Sequence, residues 1–150
     1  MARTAATLPA QGWPAGSEAA SRAKKRLGQH FLVNQGVLQR IIATAELSQA
    51  DTVIEVGPGR GVLTAELLAH AGCVIAVELD AGLIPTLQDR FAGRPNFHQL
   101  HADILTTPPP RLLSQAGLDG DAPYKVVANL PYYITAPVLR HFLAGPHPPA

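Results

Sequence analysis

The sequence predicts an α/β fold in which about four parallel strands form a sheet that helices cover on both faces. Short, continuously apolar segments alternate along the chain with segments whose apolar residues recur at helical spacing. Continuous apolar runs are typical of parallel strands that are buried on both faces. The connections between these runs are long enough to hold a helix, as parallel neighbours require.

Four strands and five helices are predicted in alternation. The predicted strands are Thr52–Val56, Cys73–Glu78, 96–101 and 124–129. The first predicted helix begins at Asn34 or Gln35 and places Val37, Leu38, Ile41, Ile42 and Ala45 on one face. The other predicted helices are 61–70, 81–91, a short one at 111–116, and 135–143.

Composition and charge limit the class of protein. Hydrophobic residues make up 47% of the 150 residues and charged residues 15%, which argues for one packed domain and against wholesale disorder. The sequence contains no secretory signal and no apolar run long enough to span a membrane. The single cysteine, Cys73, fits a reducing compartment, so we expect a cytoplasmic protein.

The net charge of +1 is unevenly distributed. Residues 1–50 contain six basic and two acidic residues, whereas residues 51–150 contain six basic and nine acidic ones. The basic N-terminal part indicates an anionic partner, or simply a solvated segment.

The first predicted strand ends in a glycine-rich turn with the sequence Glu-Val-Gly-Pro-Gly-Arg-Gly at positions 55–61. Gly57 and Gly59 allow a sharp backbone turn and close approach of a ligand. A dinucleotide-binding fingerprint would have a third glycine where Val62 stands. The pattern therefore favours a nucleoside cofactor without a pyrophosphate over NAD.

Acidic residues lie at the end of the second predicted strand and just after the third. Glu78 stands 21 positions after Gly57, where a carboxylate can accept hydrogen bonds from both ribose hydroxyls. The alternative role for Glu78 is a helix cap, for which Asp80 is better placed. Asp103 can accept a hydrogen bond from an adenine amino group, or it can simply form a turn.

The fourth strand ends in Asn129-Leu130-Pro131-Tyr132. An exocyclic adenine amine is a poor nucleophile, and acceptors aimed at it stabilise the positive charge that develops during methylation. Asn129 supplies one acceptor, and the backbone carbonyl of Leu130 or Pro131 supplies the second. Tyr132 offers a flat face on which an unstacked base can lie. An ordinary turn after a strand is the alternative.

These residues together resemble the KsgA family, the ribosomal RNA small-subunit adenine N6-dimethyltransferases. The resemblance runs from about Arg22 to about Leu143 and includes the segment Arg-Ala-Lys-Lys-Arg-Leu-Gly-Gln-His-Phe-Leu at 22–32. It implies a Rossmann-like sheet that binds S-adenosylmethionine and transfers two methyl groups to each of two adjacent adenosines, directly and without a metal. The implied cofactor contacts are Gln29, His30, Leu32, Gly57, Gly59, Glu78, Asp103 and Asn129, and the implied catalytic residues are Asn129, Leu130, Pro131 and Tyr132.

The resemblance also implies a partner and a domain organisation. The partner is the small-subunit ribosomal RNA of the assembling subunit, bound by a monomer that has no membrane contact. We expect a disordered tail at 1–21 and the N-terminal part of a catalytic domain at 22–150. The family's later strands and its helical domain are expected to be absent, which leaves the activity of the chain alone open.

Three alternatives differ in function. Macrolide-resistance methyltransferases act on large-subunit RNA and tend to have Ile where Leu130 stands and Asn where His30 stands. An NAD-dependent oxidoreductase is disfavoured by Val62. A protein that binds the maturing subunit without methylating it is the third alternative, and cofactor binding without methyl transfer would distinguish it.

Overall fold

The computed structural model describes residues 34–150, and these form one four-stranded parallel sheet with helices on both faces. The predicted tail at 1–21 and the implied contacts Gln29, His30 and Leu32 lie outside the described residues. The strands are β1 (Thr52–Val56), β2 (Cys73–Glu78), β3 (Phe97–His101) and β4 (Lys125–Ala128). The helices are α1 (Gln35–Ala45), α2 (Val62–His70), α3 (Ile84–Arg90), α4 (Pro109–Gln115) and α5 (Tyr132–Leu143), and a 3₁₀ turn, Ala81–Leu83, precedes α3.

The strands lie in the order β3-β2-β1-β4, so the predicted fold class is confirmed. In β1, Val56 is in register with Val77 of β2 and with Ala128 of β4. In β2, Glu78 is in register with His101 of β3. The four carboxyl ends therefore lie side by side along one edge of the sheet.

The sheet separates two apolar clusters because side chains alternate between its faces. Val53 packs in the cluster beneath α1, α2 and α3, whereas its neighbour Ile54 packs with α4 and α5 on the opposite face. Both residues have no solvent exposure, which agrees with the continuous apolar character of the strand. The sheet thus contributes core surface on both sides, as the sequence predicts for parallel strands.

Helix α1 is joined to the sheet through β4. Asn34 caps its first turn by accepting from the backbone N–H of Gly36 at 2.9 Å. At the other end, Lys125 Nζ donates to the carbonyl of Glu46 at 2.9 Å and lies 3.3 Å from the carboxylate of Asp51. A cation at the carboxyl end of a helix is favourable because the last carbonyls of the helix have no intrahelical partners.

Prolines account for two helix starts that the sequence placed too late. Helix α5 begins at Tyr132 instead of position 135, because Pro131 occupies the capping position and its carbonyl receives the N–H of Ile134. Helix α4 begins at Pro109 instead of position 111, since a proline in the first turn has no N–H to leave unpaired. The first turn of the helix predicted at 81–91 is 3₁₀, β3 is one residue shorter than predicted, and β4 is two residues shorter.

Strand β4 lies at the edge of the sheet and borders a groove of about 800 Å³. Apolar side chains of α1 and α5, among them Ile41, Leu139 and Leu143, line the groove together with β4. Between residues 34 and 150, no helix combines the length and the apolar character needed to cross a membrane.

Gly61→Ala should destabilise the fold more than Gly117→Ala. Both glycines have positive φ, 81° and 79°, so alanine is strained by a similar amount at either position. An added Cβ at Gly61 would lie 2.6 Å from the buried Phe91 ring, whereas at Gly117 it would meet nothing within 4 Å. We expect Gly61→Ala to lower the free energy of unfolding by roughly 1–3 kcal/mol more than Gly117→Ala in urea denaturation. Equal losses would contradict this packing role.

Candidate functional site

The carboxyl edge of the sheet brings together five of the residues singled out in the sequence. Gly57 follows β1, Glu78 ends β2, Asp103 follows β3 and Asn129 follows β4, while Gly59 lies in the turn after β1. Because β1 pairs with both β2 and β4, Gly57 lies between Glu78 and Asn129. A single ligand at this edge can therefore contact all three strand ends.

The glycine turn leaves open space above its backbone. Gly57 and Gly59 have φ values of 67° and 58°, which non-glycine residues rarely adopt. An added Cβ at either position would meet nothing within 4 Å, so these glycines are not required by internal packing. Their N–H groups point to partners at the strand ends: that of Gly57 donates to the carbonyl of Val77 at 3.0 Å.

Glu78 is fixed in place by two backbone N–H groups. Its Oε2 accepts from Gly59 at 3.2 Å and its Oε1 from Asp80 at 2.9 Å. Each carboxylate oxygen can accept two hydrogen bonds, so both retain capacity for a ligand hydroxyl. The helix-capping role falls to Asp80, whose carboxylate accepts from Gly82 at 2.9 Å, as the sequence indicated.

Asp103 forms a turn and still presents an acceptor. Its Oδ1 accepts from the backbone N–H of Leu105 at 2.9 Å, so the turn-forming role is real. Its Oδ2 has no hydrogen-bond partner in the part of the chain that the structure describes. The two interpretations of Asp103 are therefore compatible, because each uses a different oxygen.

The segment after β4 offers two acceptors that have no partner among the described residues. The half-buried Asn129 side chain makes no hydrogen bond to residues 34–150, nor does the Leu130 carbonyl. The Pro131 carbonyl is already engaged by the Ile134 N–H and the Thr135 hydroxyl, both at 3.1 Å. Of the two carbonyls that the sequence left open, Leu130 is thus the available one.

Tyr132 belongs to α5, not to the loop in which the sequence placed it. It is the first residue of the helix and its side chain is 90% exposed. Its ring meets that of Tyr133 edge-on, with centroids 6.4 Å apart. The outer face of Tyr132 is therefore open to a flat ligand.

Glu55 entered the sequence analysis only as the first residue of the cofactor-binding segment 55–61, and Leu79 was given no role. Glu55 is 1% exposed within β1, and its Oε2 accepts from the Thr64 hydroxyl of α2 at 2.7 Å. Burial raises the pKa of Glu55 to about 8, against the lowering effect of the Thr64 hydrogen bond and with a further rise from Glu78. Leu79, directly after Glu78, is 66% exposed, and an apolar residue between two acids at a strand end was the available signal.

Histidine, cysteine and acidic side chains form no group suited to a metal ion within the range 34–150. Cys73 is half-buried against the apolar cluster of α4 and α5, and this burial raises the pKa of its thiol. Its role is packing.

Glu55→Gln should change how stability depends on pH. The pKa of Glu55 is about 8 in the folded chain against 4.5 for the unperturbed group, so the folded state holds this proton more tightly than the unfolded one. The contribution of Glu55 to the free energy of unfolding is greatest below about pH 4.5, and it decreases as the pH rises to about 8. Glutamine keeps the acceptor for Thr64 and has no proton to lose.

We therefore expect Glu55→Gln to gain stability relative to the parent chain as pH rises from about 5 to 8, by a few kcal/mol in order of magnitude. The measurement is denaturant unfolding at several pH values. Asp121→Asn removes an exposed carboxyl and serves as the control. A constant difference between Glu55→Gln and the parent chain across this range would contradict the proposed protonation state.

Comparison with known proteins gives a consistent result. The family described as "Ribosomal RNA adenine dimethylase" matches residues 20–150. A ribosomal RNA small subunit methyltransferase A from Dehalococcoides mccartyi is 61% identical over 122 residues, which cover 81% of this chain and 40% of that protein. A protein of the same name from Synechococcus sp. is 51% identical, with 81% and 42% covered. The chain thus spans about two fifths of the length of these relatives.

Two solved structures share the fold. The 23S rRNA methyltransferase ErmE is 34% identical with a TM-score of 0.64, covering 76% of this chain and 43% of that one. A dimethyladenosine transferase from Plasmodium falciparum is 28% identical with a TM-score of 0.61, covering 77% and 39%. The resemblance seen in the motifs is confirmed: the chain belongs to the ribosomal RNA adenine dimethylase family.

Proposed function

We propose that this chain contains the cofactor site and the target-base site of an S-adenosylmethionine-dependent N6-dimethyltransferase that acts on two adjacent adenosines near the 3′ end of small-subunit ribosomal RNA. One observation favours this most: the Asn129 amide and the Leu130 carbonyl, which have no hydrogen-bond partner among residues 34–150, lie at the same sheet edge as the glycine turn and Glu78. That arrangement places acceptors for an adenine amine next to a nucleoside-binding edge.

The residues of this edge fit S-adenosylmethionine. The open space above Gly57 and Gly59 accommodates a ligand against the backbone, and Glu78 retains one acceptor position on each oxygen for the ribose hydroxyls. Asp103 Oδ2, which accepts no hydrogen bond from residues 34–150, suits the adenine amino group, and exposed Leu79 offers an apolar face to the ring. Gln29, His30 and Leu32 would complete the site from the N-terminal segment.

The bound cofactor supplies a methyl group on a cationic sulfonium, which is an electron-poor carbon. Asn129 Oδ1 and the Leu130 carbonyl oxygen would accept hydrogen bonds from the two N–H groups of the unmethylated amine, and the proton that the nitrogen loses as it is methylated would pass along one of these bonds to water. These hydrogen bonds turn the nitrogen lone pair out of conjugation with the ring and stabilise the charge that develops on nitrogen. Tyr132 holds the flipped base by stacking on its exposed face. No side chain is required as a covalent nucleophile.

The choice of RNA rests on sequence. The relatives with the higher identities are named for the small subunit, whereas ErmE, at 34% identity, is named for 23S RNA. Leu130 and His30 also favour the small-subunit type. Action on large-subunit RNA is therefore the second candidate, and binding of the maturing subunit without methylation is the third. We further propose that the chain acts in the cytoplasm as a monomer.

Glu78→Ala should weaken binding of S-adenosylmethionine, because two charge-assisted hydrogen bonds to the ribose are lost. We expect the Kd to rise by about 10- to 100-fold in isothermal titration. Asp89→Ala removes an exposed acid on α3 and should bind like the parent chain. Unchanged affinity in a folded Glu78→Ala chain would refute the ribose assignment.

Asn129→Ala should separate binding from chemistry. We expect the Kd for S-adenosylmethionine to change by less than about threefold and transfer of radiolabelled methyl groups to unmethylated small subunits to fall at least about 100-fold. Unmethylated large subunits serve as the comparison substrate. Retained transfer by Asn129→Ala would overturn its catalytic role. Binding without any transfer by the parent chain would favour the non-catalytic alternative.

A further inference from the structure

Glu55 is a buried acid for which the proposed reaction has no direct use. It lies two residues before the glycine turn, inside the apolar strand β1, and is 1% exposed. An acid buried without a cationic partner is costly, and no Lys or Arg of residues 34–150 contributes to the pKa of Glu55. Its retention inside the core needs a physical explanation.

The geometry around Glu55 connects the two ends of the glycine turn. Its carboxyl accepts from the hydroxyl of Thr64, which is fully buried in the first turn of α2. The residues between the two partners are the end of β1, the turn itself and the start of α2. A short hydrogen bond of 2.7 Å therefore closes the loop that carries Gly57 and Gly59.

Glu78 holds the same turn from the neighbouring strand through the N–H of Gly59. The turn is thus fixed at its base by Glu55 and at its tip by Glu78. Glu78 lies at the sheet edge where a ligand would bind. Glu55 lies two residues further from that edge, because it is in register with Ala76.

We propose that Glu55 is a positioning residue for the cofactor: through its hydrogen bond to Thr64 it fixes the glycine turn in the shape that receives S-adenosylmethionine. This inference rests on the proposed function. Glu55 does not contact the ligand and acts only through the backbone of the turn.

The state of the carboxyl supports this role. Burial and the nearby Glu78 raise the pKa of Glu55 to about 8, so the group is mainly protonated near neutral pH. A protonated acid can bond to a hydroxyl without placing a second negative charge beside Glu78. Glutamine is then a close mimic of Glu55, whereas alanine removes the acceptor altogether.

The test measures the Kd for S-adenosylmethionine in the full chain by isothermal titration. Thr64→Val removes the hydroxyl and keeps the shape of the side chain, and we expect it to raise the Kd by about tenfold. Glu55→Ala should do the same or more. Glu55→Gln and Thr64→Ser keep the hydrogen bond and should remain within about threefold of the parent chain.

Gln99 provides the matched control. It lies in the same row of the sheet, in register with Ala76, which is in register with Glu55, and its amide is buried without a partner among the described residues. Gln99→Leu changes a buried polar group without touching the turn, so it should bind like the parent chain. A loss for Gln99→Leu equal to that for Thr64→Val would overturn the inference, as would unchanged binding in Thr64→Val.

Amide hydrogen exchange of Gly59 gives a second measurement that needs no cofactor. Faster exchange in Thr64→Val than in the parent chain and in Gln99→Leu would support the fixing of the turn, and equal exchange would overturn it. Should the parent chain bind no S-adenosylmethionine, the proposed function fails while this measurement still decides whether the Glu55–Thr64 pair fixes the turn. Failure of Glu55→Ala to fold does not affect the Thr64 variants.

Discussion

The parallel pairing of β1 with β2 on one side and β4 on the other determines where the candidate residues after these three strands lie. Val56 is in register with both Val77 and Ala128, so the next residues along the three strands meet at one edge. With the strands in chain order, Asn129 would lie three strands from Gly57, about 14 Å away at the usual spacing. The insertion of β1 between β2 and β4 is therefore what makes a shared site for cofactor and target base.

Much of the fold could be predicted because the local signals are strong. The continuous apolar run at β2 and the glycines after β1 leave little choice of element at those positions. The prolines were harder, since Pro131 both excludes a helix before it and favours one after it. The sequence predicted that α5 starts at position 135. In the structure the helix starts earlier, and the Pro131 carbonyl accepts from Ile134 and Thr135. These hydrogen bonds form only with the helix, so the sequence alone does not reveal them.

Some site residues could be predicted from the sequence and others could not, because the roles of the latter depend on partners elsewhere in the chain. Polar residues at strand ends, such as Glu78 and Asn129, are visible in the sequence because a polar residue is unexpected there. The role of Glu55 depends on Thr64, nine positions further on and across a turn, and no local pattern relates the two. The choice between Leu130 and Pro131 likewise required knowing which carbonyl the following helix uses.

The two buried acids near this edge of the sheet, Glu78 and Glu55, differ in their hydrogen-bond partners and in their roles. Glu78 accepts from two backbone N–H groups, which hold its oxygens at the edge of the sheet and leave each able to accept from a hydroxyl. Glu55 receives only a hydroxyl in a fully buried setting, which favours its neutral form. Two charges this close would repel each other and loosen the turn between them. A neutral Glu55 avoids the electrostatic repulsion from Glu78 that raises its own pKa, so both acids can hold the turn at which a ribose would be bound.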